Sequence, residues 1–157
     1  IWKKYLPSMS LEPTSAMCLF LSTGTPLSKS WGNPVYDLKN MEFTPTFWGA
    51  FHNDKLVGVN SGHMTLGRLY RSRGLVVLPE YRKKQIAQKL LMKTIAQATH
   101  ERAVACWSYP KTSAEKVYHT QNFISSGVEF TFKYEDDNIR AVRVFDEQGL
   151  SNFLNQK

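Results

Sequence analysis

Three adjacent cations, Arg82, Lys83 and Lys84, stand where the stretch VVLPEYRKKQIAQKLL (76–91) passes from an apolar run into a helix-like pattern. A helix N-terminus carries unpaired N–H groups and about half a positive charge, so cations there are mildly unfavourable on their own. With a bound anion, amides, dipole and cations act together. That chemistry is a phosphate cradle at the carboxyl end of a buried strand; the other reading is a solvated basic first turn that binds nothing. A second group of residues can move protons. His63 titrates near neutrality and can serve as a base, though a strand His is also simply a half-exposed polar residue. Cys106 lies inside the apolar run AVACWS, where a thiol loses acidity and reactivity, so it is rejected as a nucleophile. The two cysteines and four histidines show no zinc-type spacing, and no metal site is expected.

The elements that must position these residues follow from pattern. TFWGAFH and KLVGVNSGHM flank Asn53-Asp54, a two-residue hairpin turn. RLYRSRGLVVL reads as a third strand, exposed in its polar first half and buried in its apolar second half. Ile86, Ala87, Leu90, Leu91, Ile95 and Ala98 recur at helical spacing, and a short buried strand, AVACWS, follows. A helical crossover makes those two strands parallel. TSAEKVYHTQNF is a second helix, capped by Thr112 or Ser113 with Glu115 downstream. VEFTFKY, with Val128, Phe130, Phe132 and Tyr134 inward, turns through EDDN into IRAVRVF. Residues 1–45, with five prolines, suggest one or two short helices and long loops.

The 157 residues suffice for one domain spanning 1–157, of which 1–45 are the least assigned. A hydrophobic share of 42% and an aromatic share of 13% argue against disorder. No stretch approaches the roughly 20 apolar residues that span a bilayer. AMCLFLS is too short and lacks the basic flank of a signal peptide. The chain opens at Ile1, which leaves an upstream targeting segment open. The net charge of +7 points to an anionic partner, with Arg68, Arg71, Arg73, Arg82, Lys83 and Lys84 crowded between positions 68 and 84.

The stretch VVLPEYRKKQIAQKLL resembles motif A of the GNAT superfamily, the acyl-CoA N-acyltransferases, in which Arg/Gln-x-x-Gly-x-Gly/Ala follows a strand and opens a helix. Arg82 matches the first position and Ala87 the last, with Lys83, Lys84 and Ile86 between. Gln85 replaces the first glycine, which in relatives lets the backbone approach pyrophosphate. KTSAEKVYHTQNF (111–123) resembles the later motif Asn-x-x-Ala-x-x-x-Tyr-x-x-x-Gly-Phe through Ala114, Tyr118 and Phe123. Lys111 replaces the Asn, and Asn122 the Gly, a mild exchange because Asn accepts a left-handed helix end. The resemblance covers roughly residues 46–146.

It implies an α/β (α+β) fold: a GNAT-like mixed sheet, mostly antiparallel, with one central splayed parallel pair and flanking helices. It implies acetyl-CoA as acyl donor and direct acetyl transfer to a small-molecule or peptide amine, by a monomer or homodimer; the cytoplasmic location is read instead from Cys18 and Cys106, taken as buried free thiols in a reducing compartment. The main chain at 82–87 would hold the pyrophosphate. Leu75, Val76 and Val77 would present backbone to the pantetheine arm at a bulge and supply the oxyanion donor. Lys111 stands where relatives bind that arm, and Tyr118 would protonate the departing sulfur. The plain counterpart for Tyr118 is a core tyrosine. The base stays open between His63 and a water relay ordered by Ser108 and Tyr109, since the strand 68–78 has no acid and Glu80 reads as structural. Trp31, Trp48 and Trp107 line either an acceptor pocket or the core. The positive charge disfavours polycationic acceptors.

Neither nucleic acid nor a membrane is expected as partner. Two alternatives remain: a basic nucleic-acid-binding module that stacks bases on Tyr70, Tyr81 and Tyr109, and a degenerate acyl-CoA-binding relative without catalysis, suggested by Gln85 and Lys111.

Overall fold

Asn53 and Asp54 both take positive φ, 49° and 63°, which makes the turn between the first two long strands a tight hairpin turn. The computed structural model describes residues 9–14, 43–131 and 137–155. Among them, seven strands form one sheet: β1 (Met9–Thr14), β2 (Thr46–His52), β3 (Lys55–Thr65), β4 (Leu69–Val77), β5 (Ala105–Ser108), β6 (Ile124–Thr131) and β7 (Asp137–Val144). Their order is β1-β2-β3-β4-β5-β7-β6. β4 and β5 are parallel and every other neighbour pair is antiparallel, as the sequence implies. Three α-helices complete the described chain: α1 (Ile86–His100), α2 (Glu115–Thr120) and α3 (Glu147–Asn155).

The apolar stripe of α1 explains the core. Ile86 and Leu90 pack with Val57, Val59, Val77 and Phe47 over the β2–β4 half of the sheet. Leu91, Ile95 and Ala98 pack with Tyr70, Cys106, Tyr118 and Phe123 over the other half. The helix lies so close to β3 that a Cβ at Gly62 would enter the Tyr70 ring and stand 2.9 Å from the Thr94 methyl. Glycine is therefore required there by approach rather than by dihedral angle.

Four expectations need correction. Residues 9–14 form an edge strand with Pro13 in it, which an edge tolerates, rather than helix or loop. β4 does not pass from exposed to buried: Tyr70 and Ser72 are buried, while Arg73 to Val76 are half-buried. Its first half alternates against α1, and its second half is bulged and loses β5 as a neighbour. α2 starts at Glu115 behind a 3-10 turn, Thr112–Ala114, and has no side-chain cap. Glu115 instead accepts a hydrogen bond from Ser125 at 2.6 Å, so its carboxylate is used across the turn. The strand β7 begins inside the expected EDDN turn, at Asp137. Phe132 and Tyr134 lie outside the described residues, as do the side chains of Val128 and Phe130.

Candidate active site

The cradle is assembled by a change of backbone direction between β4 and α1. Pro79 to Tyr81 form a 3-10 turn, and the Arg82 N–H closes it on the Pro79 carbonyl at 3.2 Å. That amide is consumed, so the expected set of open amides begins one residue later than the motif. Lys83 and Gln85 then adopt left-handed φ of 60° and 65°. Alternating backbone of this kind turns successive N–H groups toward one concavity. Gln85 precedes the helix with no side-chain cap, and the first turn contains no acid. Among the described residues, the main-chain N–H groups of 83–88 have no hydrogen-bond partner. The exposed Gln85 side chain does not close the corner, and Lys83 and Lys84 are exposed beside it. Arg82 is oriented by the end of the preceding strand, β4: Nε donates to the Val77 carbonyl at 3.0 Å. Ile86 is buried and Ala87 half-buried, so the helix start is anchored by packing. The turn is braced from β2, where His52 Nδ1 and the Tyr81 hydroxyl lie 3.0 Å apart.

Beside the cradle the sheet opens. β4 and β5 are paired only from Leu69–Arg71 to Ala105–Trp107. The Ser108 hydroxyl donates to the Ser72 carbonyl at 2.8 Å and forms the last link before the strands part. Two residues later Gly74 takes φ 80°, and the Gly74–Leu75 pair faces the single residue Asn60 in β3. This bulge bends β4 away. Val76 and Val77 resume pairing with Val59 and Gly58. Since an antiparallel strand directs alternate N–H groups to each side, the Leu75–Val77 segment has main chain facing the opening.

Tyr118 enters the opening from α2. Its ring packs edge-on to Phe123 with centroids 5.0 Å apart, and its side chain is buried. The hydroxyl lies 3.0 Å from Ser72 Oγ and 3.1 Å from Ser108 Oγ. Burial pushes its pKa up to about 12, with the hydrogen bonds from Ser108 and Ser72 pulling the other way. Ser108 is buried as well. Asn60 and Thr94 extend the cluster: Asn60 Nδ2 donates to Ser72 Oγ at 3.1 Å and to Thr94 Oγ1 at 2.8 Å. Lys111 is exposed at the start of the 3-10 turn that precedes α2, and its carbonyl accepts the Ala114 N–H at 2.8 Å.

His63 approaches from the opposite face, since its neighbour Gly62 abuts Thr94 of α1. Nδ1 of His63 is 3.0 Å from the Met64 carbonyl and so carries the proton, leaving the lone pair on Nε2. Burial lowers the His63 pKa; the Met64 contact opposes this, and the charges of Arg71 and Arg73 add to it. Arg71, opposite His63 in register, stacks on Trp107 and Tyr109 at 4.9 and 5.9 Å. β3, β4 and β5 contain no Asp or Glu.

Several expected roles change with this geometry. Tyr70 is fully buried and cannot stack on a base, and Arg71 and Arg73 lie on the His63 face rather than in the helix mouth. Trp48 packs on the core with Lys93 over its ring at 5.3 Å, while Trp31 lies outside the described residues. Burial pushes the Cys106 thiol up to about 12, consistent with its rejection as a nucleophile. Ser72, Asn60 and Thr94 were missed. The available signal was a polar residue where a core residue belongs: Asn60 within VGVNSG, and Thr94 midway between Leu90 and Ala98 on the buried stripe of α1.

The profile of the acetyltransferase (GNAT) family matches residues 17–123. Among curated protein sequences, none matches. Among solved structures, a GNAT-family acetyltransferase of Staphylococcus aureus is 18% identical, over 87% of this chain and 98% of that one, with a TM-score of 0.63. An IAA acetyltransferase of Bacillus cereus is 14% identical over 88% and 100%, with a TM-score of 0.62. A Bacillus anthracis protein provisionally called a streptothricin acetyltransferase, in complex with acetyl coenzyme A, is 15% identical over 65% and 64%, with a TM-score of 0.57. These likenesses describe the fold.

Proposed function

The chain belongs to the GNAT acetyltransferase family, whose acyl donor is acetyl-CoA, and from that premise we propose that it transfers an acetyl group directly to the amine of a small-molecule or peptide acceptor. The observation that carries this reading is the unsealed start of α1: a run of unpartnered N–H groups behind left-handed Lys83 and Gln85, next to a splayed strand pair. These residues fit the donor. The amides of 83–88 with Arg82, Lys83 and Lys84 would hold its diphosphate. The main chain of Leu75, Val76 and Val77 would take the pantetheine arm, with Lys111 flanking it, and a main-chain N–H there would face the oxygen that gains charge.

Acetyl-CoA brings an already activated thioester, so the chain needs only to position, remove a proton and return one. His63, neutral through burial, with the lone pair on Nε2, is the base in this reading. Arg71 and Arg73 add to it by disfavouring the ammonium form of a nearby amine, as they disfavour protonated His63. Tyr118 is the acid: its proton goes to the departing sulfur, the O–H bond breaks as an S–H bond forms, and a proton delivered through the opening between β4 and β5, once the thiol has left it, restores the phenol. Ser108, hydrogen-bonded to Tyr118, serves that acid rather than a water relay. A free, buried Cys106 suits a reducing cytoplasm, and a site without acids on its strands suits acceptors other than polycations.

Acetyl-CoA at a hundredfold excess over its Kd should stabilise the protein by about 2.7 kcal/mol, several degrees in Tm. Arg82→Glu should remove that shift. No shift at millimolar acetyl-CoA would overturn the reading.

A further inference from the structure

The Tyr118 hydroxyl is the end of a buried chain of side chains that starts on α1. Thr94 gives its own proton to the Leu90 carbonyl at 3.3 Å, so its oxygen is an acceptor toward Asn60. This fixes which end of the Asn60 carboxamide faces Thr94: the NH2 group, whose second hydrogen goes to Ser72 Oγ at 3.1 Å. Ser72 Oγ is thereby an acceptor toward Asn60, and its own proton has two targets. One is Tyr118 Oη at 3.0 Å and the other is Asn60 Oδ1 at 3.4 Å. The nearer is Tyr118. On the other side Ser108 can give its proton to the Ser72 carbonyl at 2.8 Å or swing to Tyr118 at 3.1 Å. Asn60, Ser72 and Thr94 are essentially excluded from solvent, so water cannot substitute for any link.

We propose that Asn60 is a positioning residue for acid catalysis: held by Thr94, it directs the Ser72 hydroxyl at Tyr118, so that Ser72 and Ser108 both donate to the tyrosine oxygen after its proton has passed to the leaving sulfur. The inference rests on the reading of Tyr118 as the acid. Chemically, the phenolate left by that transfer is a charge in a dry site, and two hydroxyl donors are what it needs there. The same chain runs to the helix whose first turn forms the cradle, so the orientation of the acid is tied to a residue two turns inside α1.

Asn60→Asp keeps the shape but replaces the amide donor by an acceptor, and turns the Ser72 proton toward position 60. It should lower kcat on the order of tenfold, the worth of one hydrogen bond to a charged group, with KM for acetyl-CoA and the acetyl-CoA-induced rise in Tm unchanged. Thr94→Val frees the carboxamide without altering position 60 and should lower kcat in the same way; whichever variant keeps the Tm rise is the one read. In a Tyr118→Phe background the same substitution should have no further effect on kcat, because the residue it acts through is gone. Equal losses in both backgrounds, or no loss in the parent, would overturn the inference while the acid reading stands. A Tyr118→Phe variant with unchanged kcat would sink both.

Discussion

At the scale of single residues, the site depends on how burial changes the acidity of groups that the sequence lists as ordinary. His63 is the case with a measurable consequence. Burial is the largest cause of its lowered pKa, and Arg71 and Arg73 act in the same direction. A lowered folded value means that, as pH falls below the ordinary 6.5, the unfolded chain takes up the proton first. The His63 contribution to stability is therefore intact above that pH, shrinks below it, and levels off below the folded pKa. As a base, His63 would remain competent until the pH drops through the folded value. The acid limb of kcat/KM should have its midpoint below 6.5, and His63→Gln should abolish that limb; a limb unchanged in the variant would remove His63 from the mechanism. Tyr118 shows the opposite direction: burial keeps it a phenol well beyond neutral pH, the form an acid must have.

At the scale of elements, the turn from β4 to α1 carries an energetic tension. Gln85 sits at φ 65°, a region that costs a non-glycine residue about 1–2 kcal/mol and that the family pattern assigns to glycine. The strain is sustained by Ile86, which is buried immediately after it. A β-branched residue tolerates left-handed backbone worst. Gln85→Val should lose a further ~1 kcal/mol or more of stability and weaken acetyl-CoA binding at least tenfold by isothermal titration, whereas Gln85→Gly should bind at least as tightly as the parent. Equal affinity for the Val variant would mean that the left-handed turn does not shape the cradle. The motif at the end of α2 follows the same rule, with Asn122 at φ 62° where relatives carry glycine. The family pattern made these two positions legible; the missing cap of α2 was not, because the sequence does not say that Glu115 would be drawn to Ser125.

At the scale of the whole molecule, the cations of the described residues are divided rather than pooled. Arg82, Lys83 and Lys84 flank the cradle, Arg71 stacks on Trp107 and Tyr109 on the other face, and Arg68 turns to the Arg102 carbonyl at the far end of α1. Such a distribution suits a compact anion better than a polymer. With Tyr70 buried, a stacking platform for single-stranded nucleic acid is missing one of its expected aromatics. Binding of a single-stranded RNA 20-mer, followed by fluorescence anisotropy, should be weak at 150 mM salt, and millimolar acetyl-CoA should displace what binds; tight binding that acetyl-CoA leaves untouched would favour the nucleic-acid module. Among the described residues no helix is long and apolar enough to cross a membrane.

The sequence by itself determined what depends on neighbours in the chain. Hairpin turn, helix stripe, parallel crossover and cationic helix mouth are set by spacings of a few residues, and they were readable, as was the family. Only the tertiary structure decided which polar groups meet. Ser72 and Tyr118 are 46 residues apart and Asn60 and Thr94 are 34 apart, and no local pattern encodes such pairings. They arise because α1 presses Thr94 against β3 at Gly62, while the bulge at Gly74 parts β4 from β5 just where the Tyr118 hydroxyl arrives. Close packing and strand register, which act across the fold, turn five scattered polar residues into one hydrogen-bonded cluster.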